Sequence, residues 1–307
     1  MNQQLEHAAR TARGWIRPAL AAPNVVAATK LSLPPHQAFR LMSPMEWYWL
    51  NVHGAAVFPS LRDYLPTMPP EEMQVRFTGA SGPATLQEAF QFYRIVTEAA
   101  ARHKPTDAMD FGCGWGRISR FFIKDFAKDH LLGVDPLTEA VETCRSTNRW
   151  ATFQHIDLHP PIDRPSASLD LVFAFSVFSH LTEDTHLEWL GEFARLLRKG
   201  GTLVVTTRKR SFIPDCARIR AEEVRSPVNT GAFVAFQDTE ASLARYDAGD
   251  YCNDPIGGGD ELPAETYGET CIPLAYAQRR WQPEFSVVDF IDSPTRLNQN
   301  VIVAQRN

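Results

Sequence analysis

The chain has 307 residues, 44% apolar and 22% charged, with 31 Lys and Arg against 36 Asp and Glu. A net charge of −5 gives no bulk attraction to nucleic acid or an anionic membrane, so neither is an expected partner. The length allows one large domain or a domain with an accessory segment, and either can bury a core without disulfides or metal.

The five cysteines (Cys113, Cys144, Cys216, Cys252, Cys271) are an odd number without a C-x-x-C pair, so no disulfide framework or metal site is expected. No apolar run approaches the ~20 residues that span a bilayer, and Leu169 to Phe178 suits a buried strand. The N-terminus carries Glu6, Arg10, Arg13 and Arg17 without an apolar stretch; no signal peptide is expected, and a cytoplasmic setting is. A homo-oligomer is left open. Proline is over-used, with 22 residues where ~5% usage gives about 15.

Much of that excess lies before residue 84, at Pro18, Pro23, Pro34, Pro35, Pro44, Pro59, Pro66, Pro69, Pro70 and Pro83. Each removes a backbone donor and disfavours helix just before it, so residues 1–83 read as a helical or irregular cap with short pieces at Pro44 to Leu50 and Leu61 to Leu65. From Ala84 to Lys104, apolar residues at helical spacing predict a helix. To Thr207 the pattern then alternates. Strands are expected at Ala108–Phe111, Leu131–Val134, Thr152–Ile156, Leu169–Phe175 and Thr202–Thr206, and helices at Ile118–Phe126, Pro136–Thr147 and Thr182–Arg198, with a turn at Lys199 to Gly201. Fully apolar strands alternating with helices predict a doubly wound, mostly parallel sheet whose ligand lies at the carboxyl ends of the strands. Residues 208–266 lose periodicity and read as an insertion or lid. A helix near Glu269 to Trp281 and strands at Phe285–Ile291 and Asn300–Ala304 finish the chain.

The most informative words close the first three strands. Asp110-Phe111-Gly112-Cys113-Gly114-Trp115-Gly116-Arg117 spells G-x-G-x-G after an acid, not the dinucleotide G-x-G-x-x-G. Glycines let the backbone turn tightly beside a ligand, while Asp110 would repel a pyrophosphate and suits an ammonium group. Asp135 ends the second strand and suits a ribose diol; Asp157 ends the third and suits an exocyclic amine. Any one of them alone reads equally well as a turn or cap residue.

With these words the chain resembles the class I S-adenosylmethionine-dependent methyltransferases, as it does in Leu169-Asp170-Leu171-Val172 and Arg195-Leu196-Leu197-Arg198-Lys199-Gly200-Gly201. The resemblance covers about Ala84 to Asn307 and implies a Rossmann-like, seven-stranded α/β sheet with a reversed last strand and S-adenosylmethionine as cofactor. It implies that Asp110, Gly112, Cys113 and Gly114 hold the methionine part, Asp135 and Pro136 the ribose, and Ile156, Asp157 and Leu158 the adenine. Phe175 and Ser176 would flank the sulfonium, Arg117 meet a carboxylate, cap a helix or pair with Asp110, and Tyr93 lie over the methionine end or pack in the core. His180, in Phe178-Ser179-His180-Leu181, is either a general base or a loop anchor. Trp47-Tyr48-Trp49 either stacks an acceptor or packs the cap. The leading expectation is O-methylation of a small-molecule acceptor, a sugar or secondary metabolite; a non-catalytic cofactor-binding protein and a nicotinamide oxidoreductase are the alternatives.

Overall fold

The computed structural model describes residues 33–223, 230–259 and 261–307; the readings made on Glu6 to Arg17, Pro18, Pro23 and Pro227 lie outside the described residues. Proline keeps the first helices short: α1 (Pro35–Ala38), α2 (Pro44–Trp49), α3 (Ala55–Val57) and α4 (Glu71–Thr78). A capping box starts α2, where the Glu46 backbone N–H donates to Ser43 Oγ at 3.3 Å and the Ser43 N–H to the Glu46 carboxylate at 2.8 Å, with Pro44 in the first turn. The proline-free stretch forms α5 (Pro83–Ala100). Then follow β1 (Ala108–Phe111), α6 (Ser119–Phe122), β2 (Leu131–Asp135), α7 (Thr138–Thr147), β3 (Thr152–His155), β4 (Leu169–Ala174), α8 (Glu183–Leu196) and β5 (Leu197–Thr207). The remainder is α9 (Phe212–Ala221), α10 (Thr230–Val234), α11 (Thr239–Asp247), β6 (Cys252–Pro255), β7 (Gly268–Cys271), α12 (Leu274–Arg280), β8 (Phe285–Ile291) and β9 (Asn300–Arg306).

Seven strands form one sheet in the order β3-β2-β1-β4-β5-β9-β8, with β9 antiparallel to both its neighbours and the other ladders parallel. This is the Rossmann-like α/β fold with a reversed last strand. Successive residues of a strand face opposite sides, and the two cores follow that alternation. Met109, Val172, Leu203 and Ile302 pack with Trp189, Leu190 and Phe193 of α8 and with Trp281. Ala108, Leu171, Phe173, Val204 and Val303 pack with Leu86, Phe90 and Val96 of α5 and with Phe121, and Trp47, Leu50 and Leu61 join that same core. The N-terminal segment is therefore continuous with the sheet's core. Trp47 Nε1 donates to Phe121 O at 2.8 Å, and the buried Arg120 guanidinium donates to Pro66 O at 2.6 Å. No described helix is long and apolar enough to cross a membrane.

Several elements depart from expectation. The helix expected at Ile118–Phe126 shrinks to α6, because i to i+3 turns such as Phe121 N–H to Ile118 O and Asp125 N–H to Phe122 O flank it. The turn expected at Lys199 to Gly201 lies within β5: Leu197 pairs with Leu169, and a register shift precedes the pairing of Thr202 with Leu171. The helix expected from Glu269 starts only at Leu274, after Pro273, because Gly268–Cys271 pairs antiparallel with Cys252–Pro255. The insertion holds its own core of Ile213, Cys216, Ala232, Phe236, Cys252 and Cys271. Its periodicity is interrupted because α10 has only 5 residues and Pro214 stands in the first turn of α9, so no apolar stripe repeats for long.

Candidate functional site

From β1 the chain winds outward through β2 and β3, and from β4 the other way through β5, so the switch point lies between β1 and β4. Gly112 follows β1 with φ 68°, and a Cβ there would stand 2.3 Å from Val177 Cγ2 in the loop after β4. Only glycine lets these loops meet. The turn's own donors are used internally: Gly112 and Cys113 N–H both donate to Val134 O (2.9 and 3.0 Å), and Gly114 N–H to Asp135 Oδ2 (2.8 Å). A pyrophosphate would find none of these three donors free, and α6, at four residues, presents no strong helix dipole. Both facts weigh against a nicotinamide dinucleotide.

A cavity of about 1310 Å³ opens over this point, lined by Gly112, Cys113 and Gly114 from the first strand end, Asp135 and Pro136 from the second, and Ile156, Asp157 and Leu158 from the third. Asp110 is fully buried beneath the turn and is not part of the lining. Its Oδ2 accepts from Ser119 Oγ at 2.5 Å, while Oδ1 is buried without a partner. Burial, partly opposed by the Ser119 hydrogen bond, pushes its carboxyl up to about 7. Asp135 accepts one backbone N–H on each oxygen, from Gly114 and from Leu137 at 2.9 Å, which leaves each oxygen a lone pair for a ribose hydroxyl. Its carboxyl is raised by burial to about 6. Asp157 is exposed at the cavity. The spare lone pairs of Asp135 and the apolar pair Ile156 and Leu158, all in the lining, fit the ribose and adenine of S-adenosylmethionine, while the orphaned Asp110 oxygen lies beneath the turn.

Arg117, Phe175, Ser176 and His180 line the same cavity. Of the roles open to Arg117, the structure gives another: Nη1 donates to Glu88 at 2.9 Å and to Thr85 O at 3.1 Å, and the guanidinium lies 4.9 Å from the Phe175 ring centroid. Ser176 has φ 59°, a strained value for a side-chain-bearing residue, held by its N–H to Thr206 Oγ1 (2.7 Å) and by Gln299 Nε2 donating to Ser176 Oγ (2.8 Å). Of the two roles open to Tyr93, the structure gives core packing and not the methionine end: it lies outside the cavity lining, its hydroxyl donating to Asp125 at 2.7 Å. Trp47, Tyr48 and Trp49 are likewise outside the lining, packed on Phe39, Phe90 and Phe58 respectively.

The His180 ring is buried, with Nδ1 2.8 Å from Gly268 O. A carbonyl only accepts, so Nδ1 carries the proton and Nε2 holds the lone pair. Tyr267 stacks on the ring with centroids 4.6 Å apart and planes 5° apart. Burial lowers the imidazole's pKa, with nearby Glu269 opposing, so the ring is neutral at pH 7. Other lining residues carry no local signal in the sequence: Arg76 and Phe77 of α4, Gln299 before β9, and Arg208. Tyr267 and Glu269 sit in a word whose strand character was masked by the helix after it.

A family described as "Methyltransferase domain" matches residues 108–201. An "uncharacterized methyltransferase" of Anoxybacillus flavithermus is 25% identical over 160 residues, 52% of this chain and 70% of that protein. Among solved structures, the chain is similar to a protein of Pyrococcus horikoshii OT3 (TM-score 0.48, 14% identity, 83% of this chain and 99% of that one). It is also similar to magnesium protoporphyrin IX methyltransferase of Synechocystis with bound S-adenosylhomocysteine (TM-score 0.47, 14% identity, 84% and 97%). The family match lies on the strands and turns that build the cavity, so residues 108–201 are a methyltransferase domain.

Proposed function

We propose that this methyltransferase methylates an oxygen of a small-molecule acceptor, a sugar or secondary metabolite, with His180 as general base. In this reading Asp110, Gly112, Cys113, Gly114, Arg117, Asp135, Pro136, Ile156, Asp157, Leu158, Phe175 and Ser176 hold the cofactor. Residues 84–307 are the methyltransferase unit, residues 1–83 its cap, and the insertion its acceptor side. S-adenosylmethionine supplies, when bound, a methyl group on a sulfonium that leaves readily, so the protein's task is alignment and removal of one proton. One observation carries the reading: a neutral imidazole whose Nδ1 is committed to Gly268 O lines the same cavity as the glycine turn. A base must be unprotonated to act, and burial keeps this ring so at neutral pH.

Size supports a small acceptor. The cavity's 1310 Å³ exceeds the ~300–1,000 Å³ typical of a pocket for one ligand, so a second compound is accommodated beside the cofactor. The polar residues Ser211 and Asp215 that line the insertion side suit a hydroxylated acceptor. The test is incubation with S-adenosylmethionine and a panel of sugars, phenols and hydroxylated metabolites, read by mass spectrometry. The expected product is a methyl ether, and His180→Ala should lower turnover ~10²–10⁴-fold. Methylation at nitrogen or sulfur refutes the oxygen assignment, and turnover within a few-fold of wild type refutes the base.

A further inference from the structure

His180 comes from the loop after β4, but what surrounds its ring comes from the hairpin that ends the insertion. Tyr267 stacks on it, Gly268 O takes the Nδ1 proton, and Glu269 Oε2 lies 3.7 Å from Nδ1. That distance is too long for a hydrogen bond but close enough for a strong charge interaction in a buried site. Glu269 is 6% exposed and pinned by Arg208, whose Nε donates to Oε2 at 2.8 Å and Nη2 to Oε1 at 3.2 Å. Gly231 of α10 makes room for the carboxylate, since a Cβ there would stand 2.5 Å from Glu269 Oε1. The charged groups acting on the ring are thus Glu269, which favours an imidazolium, and Arg208, which disfavours it. Tyr267 stays neutral, because burial raises its hydroxyl above the ordinary value.

We propose that Glu269, held by Arg208, is a positioning residue of the base, orienting the His180 imidazole and supporting the positive charge it gains on taking the acceptor's proton. The proposal rests on His180 being the base. In the step, the acceptor's O–H bond breaks and its proton passes to Nε2. The oxygen lone pair forms the O–CH3 bond, and the sulfur keeps the electron pair of the S–CH3 bond as a neutral thioether. A carboxylate beside Nδ1 matters most at that moment, when a neutral ring becomes cationic away from bulk water.

The rival role for Glu269 is to neutralise Arg208 and nothing more, and a double-variant cycle separates the two. Full-length protein with 13C-labelled histidine is titrated by NMR as wild type, Glu269→Gln, Arg208→Gln and the charge-balanced Arg208→Gln/Glu269→Gln, with His180→Asn to assign the resonance. The expected result is a His180 midpoint below wild type in both variants that lack Glu269, with the acidic limb of kcat/KM moved to lower pH. Turnover should fall about tenfold or more in both and recover in part with Glu269→Asp. Calorimetric affinity for S-adenosylhomocysteine should stay within twofold. If the double variant returns to the wild-type midpoint and turnover, Glu269 only neutralises Arg208 and the proposal is overturned. If Glu269→Gln does not fold, the double variant alone decides, because its midpoint is either below wild type or equal to it. Wild-type turnover in His180→Ala would instead remove the base itself, a failure distinct from either result at Glu269.

Discussion

Asp110→Asn separates the stability of the empty fold from its affinity for the cofactor. The Asp110 carboxyl is raised from 3.8 to about 7, a difference of 7 − 3.8 = 3.2. At 1.36 kcal/mol per unit, about 4 kcal/mol of stability is present below pH 3.8 and lost as pH rises through 7. The sign follows from the raised value: the folded state holds the proton longer than the unfolded chain, so raising the pH favours unfolding. Between pH 5 and pH 8 this group alone removes about 2–3 kcal/mol. Asparagine carries no such dependence and can still accept from Ser119. Urea unfolding without cofactor at both pH values should show the wild type losing that much more than Asp110→Asn across the interval; equal pH dependence refutes the argument. Binding should move the opposite way. If, as proposed, the cofactor's ammonium pairs with an ionised Asp110, wild-type affinity for S-adenosylhomocysteine should fall as pH drops below 7. Asp110→Asn should bind it about tenfold or more weakly at pH 8, in line with ~1.5–3 kcal/mol for a charged hydrogen bond. 5′-Methylthioadenosine, which lacks the amino-acid end, should bind both proteins alike; if Asp110→Asn weakens it equally, the ammonium assignment falls.

Three further substitutions test other parts of the site. Asp135→Asn removes one acceptor from the ribose side and should weaken S-adenosylhomocysteine and 5′-methylthioadenosine together by about tenfold; unchanged affinity for both would contradict the ribose role. Gly112→Ala places a Cβ 2.3 Å from Val177 Cγ2 at φ 68° and should cost about 2–4 kcal/mol in chemical unfolding while abolishing cofactor binding. A stable, cofactor-binding variant would mean that the two loops separate freely. Trp281→Phe deletes the Nε1–H that donates to buried His186 Nε2 at 2.9 Å and should lower stability by about 1–3 kcal/mol. Affinity for S-adenosylhomocysteine should not move, and a change there would show that the α8–α12 core is coupled to the cavity.

What could be read in advance tracks how local each contact is. Asp110, Asp135 and Asp157 each lie at or within two residues of a strand end, so apolar run and acid fall within one short word, and the strand order brings the three strand ends to one cavity. Tyr93 kept two readings because helical periodicity tells which face is apolar but not whether that face meets a ligand or the sheet. The insertion was opaque for a different reason: α10 has only 5 residues, and Pro214 interrupts the start of α9. Gly268–Cys271 reads as strand only when its partner Cys252–Pro255 is known.

The two halves of the cavity therefore differ in how they are held. The cofactor half is fixed by short links, such as Gly114 N–H to Asp135, 21 residues apart, within the parallel sheet. The proposed acceptor half is tied across long separations: His180 to Gly268 over 88 residues and Arg208 to Glu269 over 61. A hairpin that packs largely on its own small core can change side chains around the acceptor without disturbing the ladder that aims Asp110 and Asp135. Sites with no shared partners contribute independently, so Asp110→Asn and Glu269→Gln combined should lose cofactor affinity equal to Asp110→Asn alone. An excess loss beyond about 0.5 kcal/mol would show that the hairpin and the glycine turn move as one unit, and would place acceptor recognition and cofactor binding under a single constraint.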